Sequence, residues 1–92
     1  MSEITLNKQD ETTYEVELRD GGDATTHQVS VPPDMLEELG LEDVDRERLV
    51  RESMEFLLER ESPSSVLPEF ALTDIQRYFS EYYDEIRTRL RS

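Results

Sequence analysis

Apolar and polar residues alternate from Thr12 to Arg19, with Tyr14, Val16 and Leu18 on one side and Glu15, Glu17 and Arg19 on the other. That period of two marks a strand with one buried face. Asp20-Gly21-Gly22-Asp23 interrupts it with residues suited to the positive φ of a tight hairpin turn. A second alternating run, Ala24 to Val31, sets His27, Val29 and Val31 against Thr26, Gln28 and Ser30. An antiparallel hairpin with one apolar side follows. Ahead of it only Ile4 and Leu6 alternate, so residues 1–11 are expected to be flexible or weakly ordered, at most a minor edge strand.

The spacing then turns helical. Pro33 suits a first helical position, and Met35, Leu36 and Leu39 lead to Gly40, a helix-ending residue beyond which Leu41 can pack back on Leu36. Asp45 is a good N-cap for a helix to about Glu61, with Leu49, Val50, Met54, Leu57 and Leu58 along one stripe and Phe56 at its margin. Glu47 and Arg51 stand at i,i+4 on it. Ser62-Pro63-Ser64-Ser65 reads as a loop, and residues 66–70 as a short helical turn plugging the core. Thr73 and Gln76 have capping-box spacing at the start of a last helix, where Ile75, Phe79, Tyr82, Ile86 and Leu90 form a narrow stripe. Arg87, Arg89 and Arg91 complement its C-terminal dipole. The expected fold is α+β: one small domain over residues 12–92, a two-stranded antiparallel hairpin packed against three or four helices.

Charge adds a setting. The 92 residues hold 23 acidic and 10 basic side chains, a net charge of −13, and nine of the ten bases are arginine. Repulsion among carboxylates fades as the Debye length falls to about 3 Å near 1 M salt, so such a surface suits the cytosol of a halophile that accumulates salt. The acidity is uneven: residues 63–92 carry five acidic and four basic groups but five of the seven aromatics. Low charge and aromatic mass together make this third the expected contact region, with Tyr78, Tyr82, Tyr83 and Arg87 as the partner-binding residues.

Candidate chemistry is sparse. The chain has no cysteine and a single histidine, His27, which excludes disulfides, thiolate zinc sites, thiol catalysis and histidine metal clusters. His27 shares a strand face with valines and reads as a packed histidine. Glu42, Asp43 and Asp45 crowd a loop, but the glycine-centred twelve-residue calcium pattern is absent. No phosphate loop or catalytic triad can be composed, so the expectation is a non-enzyme with no cofactor, metal or small-molecule substrate. No apolar run reaches membrane-spanning length, and Met1-Ser2-Glu3 lacks the features of a secretory leader, so a cytoplasmic place is expected.

Two resemblances add to this. Phe56-Leu57-Leu58-Glu59-Arg60-Glu61, Ser65-Val66-Leu67, Phe70-Ala71-Leu72 and Ile75-Gln76-Arg77-Tyr78-Phe79-Ser80-Glu81-Tyr82 resemble a family of small uncharacterised prokaryotic proteins, in a haloarchaeal-like version. That pattern carries proline where Ser80 stands, and serine permits a straight helix there. The family brings no established activity. More weakly, the strand ending Val29-Ser30-Val31, the proline-led helix and the run Arg46 to Ser53 are similar to the ribbon-helix-helix DNA binders. That resemblance implies a strand paired with a second chain in the major groove, Thr26, Gln28 and Ser30 toward bases and Arg46 and Arg48 on phosphates. The expected function is a protein-interaction module or small assembly subunit that binds a protein partner or itself, with a DNA-binding regulator as the alternative.

Overall fold

The computed structural model describes residues 2–91. Strands β1 (Ser2–Lys8), β2 (Thr13–Asp20) and β3 (Asp23–Ser30) are followed by helices α1 (Met35–Glu38) and α2 (Arg46–Leu58). A 3-10 turn (Pro63–Ser65), strand β4 (Glu69–Ala71) and helices α3 (Leu72–Tyr78) and α4 (Tyr82–Arg91) complete the domain. The strands form one mixed sheet in the order β1-β2-β3-β4, antiparallel except for the parallel pairing of β3 with β4. The α+β class stands, and the two-stranded hairpin is corrected to a four-stranded sheet.

The central hairpin forms where the alternation places it. Asp20 faces Asp23 across Gly21 and Gly22, and Gly21 takes the φ of +63° that the turn requires. Tyr14, Val16, Leu18, Val29 and Val31 are buried on one side. The stretch read as flexible or as a minor edge strand contains β1, a seven-residue edge strand whose Ile4 lies opposite Leu18 and Leu6 opposite Val16. Those two pack on the core, which ties this segment to the domain. The turn into β2 is held by Asp10, whose Oδ1 accepts from the Thr12 and Thr13 backbone N–H groups at 2.9 Å each. These bonds, that of Thr12 first, hold the Asp10 carboxyl below its ordinary value.

The helices cover the same side of the sheet. Gly40 ends α1 at φ +70°, and the Leu41 N–H donates to the Leu36 carbonyl at 2.7 Å, the return contact expected after a left-handed cap. Helix α2 starts after Asp45 and buries Leu49, Val50, Ser53, Met54, Phe56 and Leu57. Its inward side is therefore turned toward Phe56 and Ser53, leaving Leu58 only partly buried. Arg51 does not bond Glu47: its guanidinium donates to the Ile4 carbonyl of β1 at 3.0 Å, and Arg46 donates to the Glu11 carbonyl at 2.7 Å.

Two local expectations fail. Residues 66–70 are not helical, since Pro68 favours an extended residue before it, and the chain continues into β4 once the Gln28 N–H donates to the Pro68 carbonyl at 2.8 Å. The last helix is also interrupted at residues 79–81, although Ser80 would permit continuity: Phe79 is extended at φ −131°, ψ 94°. Gln76 spans the break. Its Nε2 donates to the Ser80 carbonyl at 2.7 Å, and its Oε1 accepts from the Tyr83 N–H at 2.9 Å. Gln76 thus stabilises the break instead of closing a capping box with Thr73, and the start of α3 is held by Asp74 Oδ2, which accepts from the Ala71 N–H at 3.1 Å.

Candidate functional site

A groove opens where the end of α2, the segment after the 3-10 turn, β4 and α3 converge. Its lining includes Leu57, Val66, Leu67, Phe70, Ile75, Tyr78 and Phe79, with the carboxylates of Glu61 and Asp74 on its walls, around a cavity of about 150 Å³. Two of these residues decide its interest. Leu67 is 47% exposed and Tyr78 69%, and they are the exposed large hydrophobics among the described residues. Scattered surface apolar residues need no explanation, but two that flank one apolar cleft form a contiguous patch.

The Leu67 side of the groove is fixed from within by His27. The ring is buried, and the Leu67 carbonyl, 2.6 Å away, accepts from Nδ1–H. Nε2 is 2.7 Å from the Thr25 hydroxyl, which itself reaches the Pro63 carbonyl at 3.4 Å. His27 is thus the packed histidine that its strand neighbours imply, and one of its two partners is the backbone of the groove segment at Leu67.

The four residues expected to bind a partner are not brought together. Tyr78 lies on the groove, whereas Tyr82 is wholly buried, its hydroxyl donating to Ser53 Oγ at 2.6 Å while Ser53 donates to the Leu49 carbonyl at 2.7 Å. Tyr82 is therefore a core residue. Tyr83 is half-buried with its ring 5.7 Å from that of Tyr82, and Arg87 is occupied by the Leu39 carbonyl and Asp84. Leu67, Phe70, Phe79, Glu61 and Asp74 were missed as site residues. The available signal was local: apolar residues on both sides of Pro68, in a segment too short to bury them all.

The burial of Tyr82 has a consequence in alkali. Desolvation raises its pKa well above the ordinary 10. The folded state then holds a proton that the unfolded chain loses above about pH 10, so stability is intact below that pH and falls as pH rises beyond it. In a spectrophotometric titration the Tyr82 phenolate should appear only together with unfolding, and Tyr82→Phe should flatten the loss of stability between about pH 10 and 12.

The other side of the sheet carries no helix. It presents Glu3, Thr5, Glu15, Glu17, Arg19, Thr26, Gln28, Ser30 and Glu69. Thr26, Gln28 and Ser30 therefore do face outward, yet β3 is hydrogen-bonded on both edges, to β2 and β4. It has no free edge for the strand of a second chain, the arrangement that a ribbon-helix-helix likeness implies. Arg46 and Arg48 lie on α2, in the layer on the opposite side of the sheet. Gln28 and Ser30 instead line a polar cleft with Thr13, Glu69, Phe70, Ala71 and Asp74. Phe70 and Asp74 also line the apolar groove, so the two clefts meet there.

Among the described residues, no group of three or more histidines and carboxylates is placed to hold a metal ion, and no buried polar side-chain atom lacks a partner. No helix among them is long and apolar enough to cross a membrane. No family model, curated protein or solved structure matches the chain.

Proposed function

We propose that the chain is a non-catalytic protein-interaction module of a salt-rich cytosol, which takes an apolar side chain of a partner into the groove between Leu67 and Tyr78. The supporting observation is that these two exposed hydrophobics both line one cavity of about 150 Å³. A cavity of that volume accepts one benzene-sized group, which suits a single aliphatic or aromatic anchor. Anchors that fill pockets carry much of the affinity in protein interfaces. The open sheet surface is a weaker candidate, because Glu15, Glu17 and Glu69 surround Thr26, Gln28 and Ser30 and would repel phosphates.

The test is the double variant Leu67→Ser/Tyr78→Ser. Both side chains are exposed, Leu67 by 47% and Tyr78 by 69%, so unfolding free energy should change by no more than about 1 kcal/mol per site. Complexes recovered by the wild-type chain from its native high-salt lysate should be lost. Unchanged recovery with the folded double variant would remove the groove from the function.

A further inference from the structure

We infer that the groove's occupant is a segment of a different protein, in extended conformation, with one aliphatic or aromatic anchor flanked by arginine or lysine. This rests on the groove as the docking site and adds the chemistry of what enters it. The groove's lining is mostly apolar, and its charged members are both acidic: Glu61 and Asp74 line the groove, and Glu69 lines the cleft that continues from it. Glu61 and Asp74 are half-buried, so a cation brought against them is less screened by salt than one on an open surface. Asp74 stands where the two clefts meet and uses Oδ2 to cap α3, leaving Oδ1 to accept from a guanidinium.

Among the described residues, no salt bridge joins a cation to Glu61, Glu69 or Asp74. Arg60 lies with its guanidinium carbon 3.7 Å from the Phe56 ring centre and is paired with Glu59 and Glu81, and Arg77, the cation of α3, is not a lining residue. The path from the apolar cavity over Phe70 and Asp74 to Gln28 and Ser30 suits an extended segment: anchor in the cavity, base at Asp74 and Glu69, polar backbone beyond.

A second copy does not supply such a segment. Leu18 before Arg19, Leu49 and Val50 between Arg48 and Arg51, Ile86 before Arg87, and Leu90 between Arg89 and Arg91 are buried, and Tyr78, which follows Arg77 and is exposed, is helical on α3 and belongs to the groove's own lining.

The experiment uses fluorescein-labelled peptides in about 0.5 M KCl: a phenylalanine with an arginine two residues to each side in a glycine–serine background, and the same peptide with glutamine for both arginines. The arginine peptide should bind the full chain with a Kd on the order of 10–100 μM, and at least about tenfold more tightly than the glutamine peptide. Tyr78→Ser should weaken it about tenfold or more, and Glu61→Gln about three- to tenfold, with unchanged circular dichroism in both. Equal affinity for the two peptides overturns the basic-flank inference while leaving the groove in place. Absence of saturable binding of the arginine peptide up to about 1 mM overturns the inference too; the double variant's lysate result then decides whether the groove falls with it. A concentration-dependent dimer in sedimentation, dissolved by Tyr78→Ser, would put a second copy in the groove and overturn it.

Discussion

Phe56→Ala is expected to cost about 3–5 kcal/mol and to leave the chain mostly unfolded in dilute buffer. Phe56 is fully buried on α2 and is the residue around which the C-terminal half packs. The Phe79 ring meets it edge-on at 5.8 Å between centroids, the Tyr82 ring at 5.2 Å, and the Arg60 guanidinium closes its outer side. Alanine would remove the ring from contact with Phe79 in the break, Tyr82 on α4 and Arg60 just beyond its own helix at once, leaving a void that the break at residues 79–81 cannot close without moving Gln76. The aromatic pairs and the cation–π contact each add about 0.5–1.5 kcal/mol beyond the buried area. A domain of this size has a total stability of roughly 5–15 kcal/mol, and its charge places it toward the low end, so the loss is decisive. Urea unfolding in 1 M KCl measures it against Leu58→Ala, a partly buried site on the same helix that should cost under about 1.5 kcal/mol. Similar values for the two variants would mean that Phe56 does not hold these helices together.

Phe56 also marks how far the pattern of residues can be read. On α2 the aliphatic stripe of Leu49, Val50, Met54 and Leu57 was legible, and the helix followed it, but a ring at the edge of a stripe weighs more than its angular position suggests. The buried side turned toward Phe56 because its partners, Phe79 and Tyr82, arrive from elsewhere in the sequence. The hairpin, its glycine turn and the Gly40 stop were legible because each is set by residues a few positions apart. Strand β4 was not. Three residues carry no period, and they are extended because β3 offers a parallel edge, a non-local cause.

The C-terminal stripe contained a better answer than the aromatic count. Ile75, Phe79, Tyr82, Ile86 and Leu90 recur at helical spacing and all turn inward, Phe79 only partly. That periodicity already placed Tyr82 inside and Tyr78 outside, whereas aromatic mass and low charge grouped them as one surface. The stripe runs unbroken through residues 79–81 because α3 and α4 face the same core, so spacing alone could not reveal the interruption. The Gln76 carboxamide holds it, through two bonds to Ser80 and Tyr83 that exist only once the chain has turned. Half of the candidate site, Leu67 with Phe70, was hidden for the same reason as β4: the segment's shape is imposed by β3 through Gln28 and His27.

The urea midpoint is expected to rise steeply between about 0.01 and 0.3 M KCl and to continue rising, more gently, toward about 2 M. A net charge of −13 is confined within a radius of gyration of 12.3 Å. At a typical separation of about 20 Å in water each pair of like charges repels by about 0.2 kcal/mol, and roughly 80 such pairs give on the order of 10 kcal/mol before screening. That is as large as the whole stability of a small domain. The unfolded chain spreads the same charge over a much larger volume, so most of this repulsion opposes folding. At 0.15 M the Debye length is about 8 Å, and repulsion over about 20 Å has fallen to roughly a tenth. Screening is therefore nearly complete well below molar salt, and a rise beyond it has to come from salt strengthening apolar burial. Potassium phosphate should then exceed KCl at equal ionic strength. A plateau above about 0.3 M in both salts would leave simple screening as the only effect and remove the reason for placing the chain in a salt-rich cytosol. A midpoint independent of salt from the lowest concentration would mean that the carboxylates are neutralised by bound cations even in dilute buffer.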